Sequence, residues 1–181
     1  MLLVVDAAYA EYVDAADYEA GIELVDAHDN VVMTRTFSKI YGLGGLRIGW
    51  SYAGPGICDV LNRLRSPFAV SGPAQAAAAA AVEDQAFVAE GRRHNARWRA
   101  WLAQRLEGAG LRVSPSVCNF VLVHFPPDGA HAVEKADAHL KSQGIIARRV
   151  RAYGLPDALR ITIGREDEVR AAAEALSKFM R

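Results

Sequence analysis

The sequence has little of what marks several large classes of protein. Only two cysteines occur in 181 residues, Cys58 and Cys118, and they form no CxxC pair. Both read as free thiols of a reducing compartment. Formal net charge is zero and the pI is near 7.0, so whole-chain charge gives no reason to expect a nucleic-acid or anionic-membrane partner. No apolar run approaches the ~20 residues of a membrane span. Met1–Val5 is too short for a signal peptide before Asp6 interrupts it. The five histidines (28, 94, 124, 131, 139) lack metal-ligand spacing, and no internal repeat is visible. A cytoplasmic protein without metal is the expectation.

What remains is ordinary globular material, 51% hydrophobic and 23% charged, enough for one large domain or two small ones. The run "LLVV" before Asp6 predicts a strand buried on both faces. "NVVMTRTFS" and "LRIGWSYA" predict two more strands, and "ICDVLNRLRS" a helix. Residues 72–110 read as one or two long helices, with Phe87, Gly91, His94, Trp98, Trp101 and Arg105 at three- and four-residue steps. The cluster "GRRHNARWR" is explained by that amphipathic helix, with no need for nucleic-acid stacking. Further on, "CNFVLVHF", "IIARRV" and "ALRITIG" predict strands, "AHAVEKADAHLKSQG" a helix, and "REDEVRAAAEALSKFMR" a final amphipathic helix with acids first and bases last. The expected class is α/β. A fragmentary, mainly parallel sheet region (1–74) is followed by a small α+β domain (75–181), with the boundary at the composition shift near 70–75.

The stretch "TRTFSKIYGLGGLRIGW" carries the chemistry. It is no dinucleotide fingerprint, since Arg47 stands where a third glycine belongs, and no Walker A loop, since Lys39 precedes the glycines. A structural loop with an incidental lysine is one reading. The other is a Schiff-base lysine, which must be reachable by a carbonyl and partly desolvated. Ser38 and Arg47 are suitable phosphate ligands, a hydroxyl and a forked guanidinium. Glycines 42, 44 and 45 allow sharp turning and close approach. Upstream, "VVDAAYAEY" puts Asp6 at a strand end, where open α/β sheets place a ligand crevice, with Tyr9 three residues on. An acid there is often only a helix N-cap. Taken together, a carboxylate for a pyridine nitrogen, a phenol for a ring oxygen, a lysine for an aldehyde and Ser/Arg for a phosphate form the set that pyridoxal phosphate (PLP) requires.

These stretches, with "CNFVLV" and "LRITIG" in this order, resemble the fold-type I PLP-dependent aminotransferases, and within them the histidinol-phosphate aminotransferase group. The resemblance covers essentially the whole chain, which corresponds to about the C-terminal half of such an enzyme. It implies that Asp6 pairs with the pyridine nitrogen, Tyr9 with the ring oxygen, Ser38 and Arg47 with the phosphate, and Lys39 with the aldehyde carbon. Arg160 matches the arginine that takes the substrate carboxylate, and Asn119 is carried as a second substrate-side candidate. Where the family usually has Glu after the aspartate, this sequence has Ala7.

The resemblance further implies a ping-pong amino transfer, with histidinol phosphate and 2-oxoglutarate as the expected pair and a homodimer as the expected assembly. The family's upstream phosphate cup and ring-stacking aromatic have no counterpart here. A truncated chain is therefore expected, working with a separate N-terminal half or with copies of itself. Its three early strands should leave apolar faces and edges uncovered. The alternatives are a non-catalytic remnant serving assembly, or another fold-type I enzyme such as an aromatic aminotransferase or a threonine-phosphate decarboxylase.

Overall fold

A computed structural model describes all of residues 1–181. The chain has an α/β architecture and divides into two compact units, 1–92 and 93–181. The division by compactness falls inside one long helix. A continuous helix crossing between units leaves no Pro/Gly linker for the sequence to display.

The first unit holds a three-stranded sheet in the order β1 (Leu3–Asp6), β2 (Val31–Thr36), β3 (Gly49–Ala53). β1 and β2 are parallel, with Asp6 opposite Thr34. β2 and β3 are antiparallel, with Arg35 opposite Trp50. The sheet is therefore half parallel, because the lysine loop returns the chain beside β2 without a crossover helix. Helix α1 (Ile22–Ala27) precedes β2 and was not visible as a periodic pattern. Val31, Val32 and Met33 of β2 are buried, as expected of a central strand.

β1 differs from its reading. Leu3 and Val4 are 48% and 55% exposed. The faces read as buried are open, and β1 pairs only with β2 and forms an edge, as the expectation of uncovered faces and edges has it. α2 (Pro55–Leu64) is likewise amphipathic and buries no residue. The alanine-rich stretch resolves into two helices, α3 (Gly72–Glu83) and α4 (Gln85–Glu107). Asp84 breaks them: its backbone leaves the helical region, and its Oδ1 accepts the Phe87 N–H at 2.9 Å, a side-chain cap for the new first turn.

In the second unit, four antiparallel strands run in the order β4 (Arg112–Ser114), β5 (Phe120–His124), β7 (Ala158–Thr162), β6 (Arg148–Arg149). β5 alternates strictly: Val121 and Val123 are buried, and Phe120, Leu122 and His124 are half-buried. α5 (Val133–Ser142) and α6 (Glu166–Phe179) join one core in which Val133, Leu140, Val169 and Leu176 meet Trp98, Leu102 and Leu106 of α4. The buried stripe of α4 therefore runs through Val88, Asn95, Trp98, Leu102 and Leu106. The predicted stripe shares only Trp98 with it, and Phe87 is exposed. His94 Nε2 donates to Gly164 O, 2.9 Å away, in a packed structural role. No helix is long and apolar enough to cross a membrane.

Candidate active site

The parallel pairing of β1 and β2 makes both strands end on the same side of the sheet. Ala7 N–H donates to Thr34 O at 2.9 Å and carries the ladder one step past Asp6. Asp6 then turns the chain, its Oδ1 accepting the Ala8 N–H at 3.2 Å. A single 3-10 turn at Ala10–Tyr12 follows, with Tyr9 as its first flanking residue. Buried Ala7 and Ala10 seat this segment on the small core that includes Val31 and Met33.

Past β2, Phe37 and Ile40 are buried, and Ser38 and Lys39 lie half-buried between them. The spacing fixes the backbone on both sides of the lysine. Phe37 N–H donates to Ile48 O, Leu43 N–H to Phe37 O, and Gly42 N–H to Lys39 O. Gly42 closes that turn at φ +70, a region open to glycine at little cost. Thr36 Oγ1 accepts the Ser38 N–H at 3.0 Å. The Lys39 Nζ lies 5.4 Å from the centroid of the Tyr9 ring. The two strand-end segments thus meet through their functional groups.

Arg47 adopts a left-handed backbone at φ 52, ψ 49. Its Nη1 donates to Gly44 O at 2.7 Å and reaches Ser38 Oγ at 3.5 Å. A hydroxyl and a guanidinium therefore converge beside the lysine. Asp6, Tyr9, Ser38, Lys39 and Arg47 all belong to the first unit and to this one sheet end.

Two charged residues that the sequence reading passed over stand behind them. Glu11 and Arg35 form an ion pair, Oε1 to Nε 3.4 Å, with side chains only 9% and 17% exposed. Arg92 Nε donates to the Glu11 main-chain oxygen at 2.7 Å. Burial pushes the Tyr41 phenol above its ordinary value. The Glu11 charge adds to that rise, and Arg35 and Arg92 oppose it.

Arg160 and Asn119 belong to the second unit. Arg160 stands on β7 between Leu122 of β5 and Arg148 of β6. Its Cζ lies 4.7 Å from the Phe120 ring centroid, and its Nε is buried without a hydrogen-bond partner. A cleft of about 440 Å³ is lined by Arg148, Arg160, Thr162 and Glu168 among others. Arg148 was not singled out from the sequence, where "ARRVR" offers three arginines and nothing distinguishes them. Asn119 accepts the Ile163 N–H on its main-chain oxygen at 2.8 Å, continuing the β5–β7 ladder. Burial raises the Cys118 thiol beside it, and Arg99 and Arg160 oppose that rise.

A family model described as aminotransferase class I and II matches residues 1–176. Histidinol-phosphate aminotransferases of Rhodospirillum rubrum and Maricaulis maris are 57% and 54% identical over 180 residues. The match takes in 99% of this chain but 49% and 50% of theirs. The chain thus spans about half the length of the curated relatives it matches. Among solved structures, histidinol-phosphate aminotransferase from Sinorhizobium meliloti, in complex with pyridoxal-5'-phosphate, superposes with a TM-score of 0.89 at 33% identity. That match covers 99% of this chain and 49% of the other. Since the family's pattern runs through nearly every residue, from the strand before Asp6 into the last helix, this chain belongs to the aminotransferase class I and II family.

Proposed function

We propose that the chain contributes to a PLP-dependent amino transfer between histidinol phosphate and 2-oxoglutarate, in histidine biosynthesis. On this reading residues 1–74 are part of the cofactor-binding domain, residues 75–181 form the smaller domain, and the working assembly is a homodimer or a pairing with an N-terminal half. The observation that carries the reading is the meeting of Lys39 and Tyr9 at the shared end of β1 and β2. The relatives named above support the substrate pair, and the cofactor in the S. meliloti structure supports PLP.

The residues present fit that cofactor by the chemistry of their donors. Ser38 Oγ and Arg47 Nη1 converge as a phosphate ligand pair needs. Lys39 supplies a primary amine, Tyr9 a phenol beside it and Asp6 a carboxylate at the strand end. When bound, PLP supplies an aldehyde that exchanges amines and a ring that withdraws electrons from the substrate α-carbon. With it bound, the Asp6 carboxylate would hold the proton of the ring nitrogen, the Tyr9 hydroxyl would donate to the ring oxygen, Ser38 and Arg47 would anchor the phosphate end, and the Lys39 amine would take the substrate's α-proton and return it. Arg160, with Arg148 opposite it on β6, offers two guanidiniums to the substrate's anionic groups.

The test is borohydride reduction of the chain mixed with PLP, followed by peptide mass spectrometry. Reduced cofactor should sit on Lys39 and vanish in Lys39→Ala. Asp6→Ala should retain the adduct but support little turnover when the complete assembly is assayed. Adduct spread evenly over Lys135, Lys141 and Lys178, with none favouring Lys39, would remove the proposal.

A further inference from the structure

The geometry points to a positioning role for the Glu11–Arg35 ion pair. On the reading of Lys39 and Tyr9 given above, the pair sets the distance between the lysine amine and the phenol ring. Glu11 lies two residues after Tyr9, and Arg35 four residues before Lys39. Neither side chain is part of the proposed ligand set, but each is fixed to a segment that is. The lysine segment is held by two large buried side chains, Phe37 and Ile40. The tyrosine segment has only Ala7 and Ala10 in the core. A buried methyl contributes far less anchorage than a buried aromatic or isoleucine. The ion pair adds a lateral tie from this segment to β2 beyond the ladder.

Glu11 is largely removed from water, and its contact with Arg35 is a charge pair at 3.4 Å without a hydrogen bond, since both Nε and Nη1 of Arg35 are buried with no acceptor. The Arg35 guanidinium also lies 5.6 Å from the ring centroid of Trp50, its register partner on β3. Its orientation is thus held by a ring on one side and a carboxylate on the other. Arg92 fastens the Glu11 main chain from α4. Removing one charge of a buried pair leaves the other uncompensated and is strongly destabilising, so the two segments are held together through both partners. Moving Tyr9 away from Lys39 would require pulling this pair apart.

The test measures the Lys39–Tyr9 juxtaposition directly, in the full chain without cofactor. Formaldehyde joins a lysine amine to the ring carbon beside a tyrosine hydroxyl through one methylene, with loss of water. Mass spectrometry gives the ratio of the Lys39–Tyr9 bridge to all modified Lys39. Glu11→Gln and Arg35→Gln should each lower that ratio about tenfold, since bond formation is steep in ångström-scale misplacement. Glu11→Asp, which keeps the charge on a shorter arm, should restore part of it. Asp59→Asn, which breaks the exposed pair with Arg63, should leave it unchanged. Should either single variant unfold, Glu11→Gln/Arg35→Gln removes both charges together and should show the same fall with the fold retained. A full bridge ratio in folded variants overturns the positioning role. Borohydride trapping of PLP on the unaltered chain runs alongside. A failed trap with the expected bridge ratios removes the cofactor reading and leaves the positioning role, and the opposite pair of results does the reverse.

Discussion

At the scale of single residues, backbone strain and function separate at Arg47. A non-glycine residue in the left-handed region costs about 1–2 kcal/mol, and Arg47 sits there at φ 52. Arg47→Gly removes that strain together with an exposed side chain. Its hydrogen bond to Gly44 O is worth about 0.5–1.5 kcal/mol net. The two effects nearly cancel, so the thermal midpoint should hold or rise slightly. PLP uptake at Lys39 should fall, because the guanidinium beside Ser38 is gone. Parallel loss of stability and uptake would show that Arg47 is there for the fold alone. Gly49 presents the opposite case. A Cβ there would lie 2.6 Å from the Arg35 carbonyl oxygen, closer than real contacts come. Gly49→Ala must spread β2 from β3 beside Thr36, just before the lysine. A loss of about 1–3 kcal/mol in chemical denaturation is expected from such overpacking, and an unchanged midpoint would mean the strands separate freely.

At the scale of elements, the β4–β5 ribbon carries a pH dependence. Ser114 Oγ and His124 Nε2 are 2.8 Å apart across it. Desolvation, and then the Arg112 charge, lower the His124 pKa below its ordinary value. The folded state therefore binds fewer protons than the unfolded state around that histidine. Its contribution is fully present above the unfolded value of about 6.5 and is lost as pH falls from there through the lower folded value. Unfolding of the second unit should be easier at pH 5 than at pH 8, and His124→Gln should flatten that difference. A slope that survives the substitution would place its origin elsewhere.

Such a ribbon also shows what a sequence discloses about elements. β5 was legible because Val121 and Val123 alternate with half-buried neighbours, and α6 because acids and bases sort to its two ends. The α4 face was misjudged. Aromatic and basic side chains repeat with nearly the helical period on both sides of it, and only packing decides which side is inside. β1 was legible as a strand, and its uncovered edge followed from the small number of strands around it, whereas the run of leucine and valine by itself pointed to burial on both faces. The five groups at the sheet end were legible through one dense motif and one strand-end acid. Glu11 and Arg35 were not. An ion pair drawn from two separate segments leaves no local pattern, and a charged side chain ordinarily reads as solvated.

For the whole molecule, the two units differ in what holds them. The second unit's core comprises nineteen buried residues, with Leu102, Leu106, Leu140, Leu159 and Leu176 at full burial. The first unit's cluster is Ala7, Ala10, Val25, Val31 and Met33. Fully burying a leucine contributes about 1.5–3 kcal/mol, and an alanine methyl far less. Apolar side chains that would add to the first unit's core instead face solvent: Leu3 and Val4 on β1 with Leu2 just before it, and Val60, Leu61 and Leu64 on α2. Local opening draws on the least buried elements first. Hydrogen exchange followed by mass spectrometry should therefore find the β1 and α2 amides exchanging early and those of β5 and β7 last. The ladder from Val121 to Leu159 should set the slowest rate in the chain. A partner that covers the β1 edge should slow β1 exchange by closing its unpaired N–H groups, and leave β5 as it was. Exchange of all these amides at one common rate would mean that the first unit draws its stability from the second unit's core. The contrast between the two cores would then have no consequence for opening.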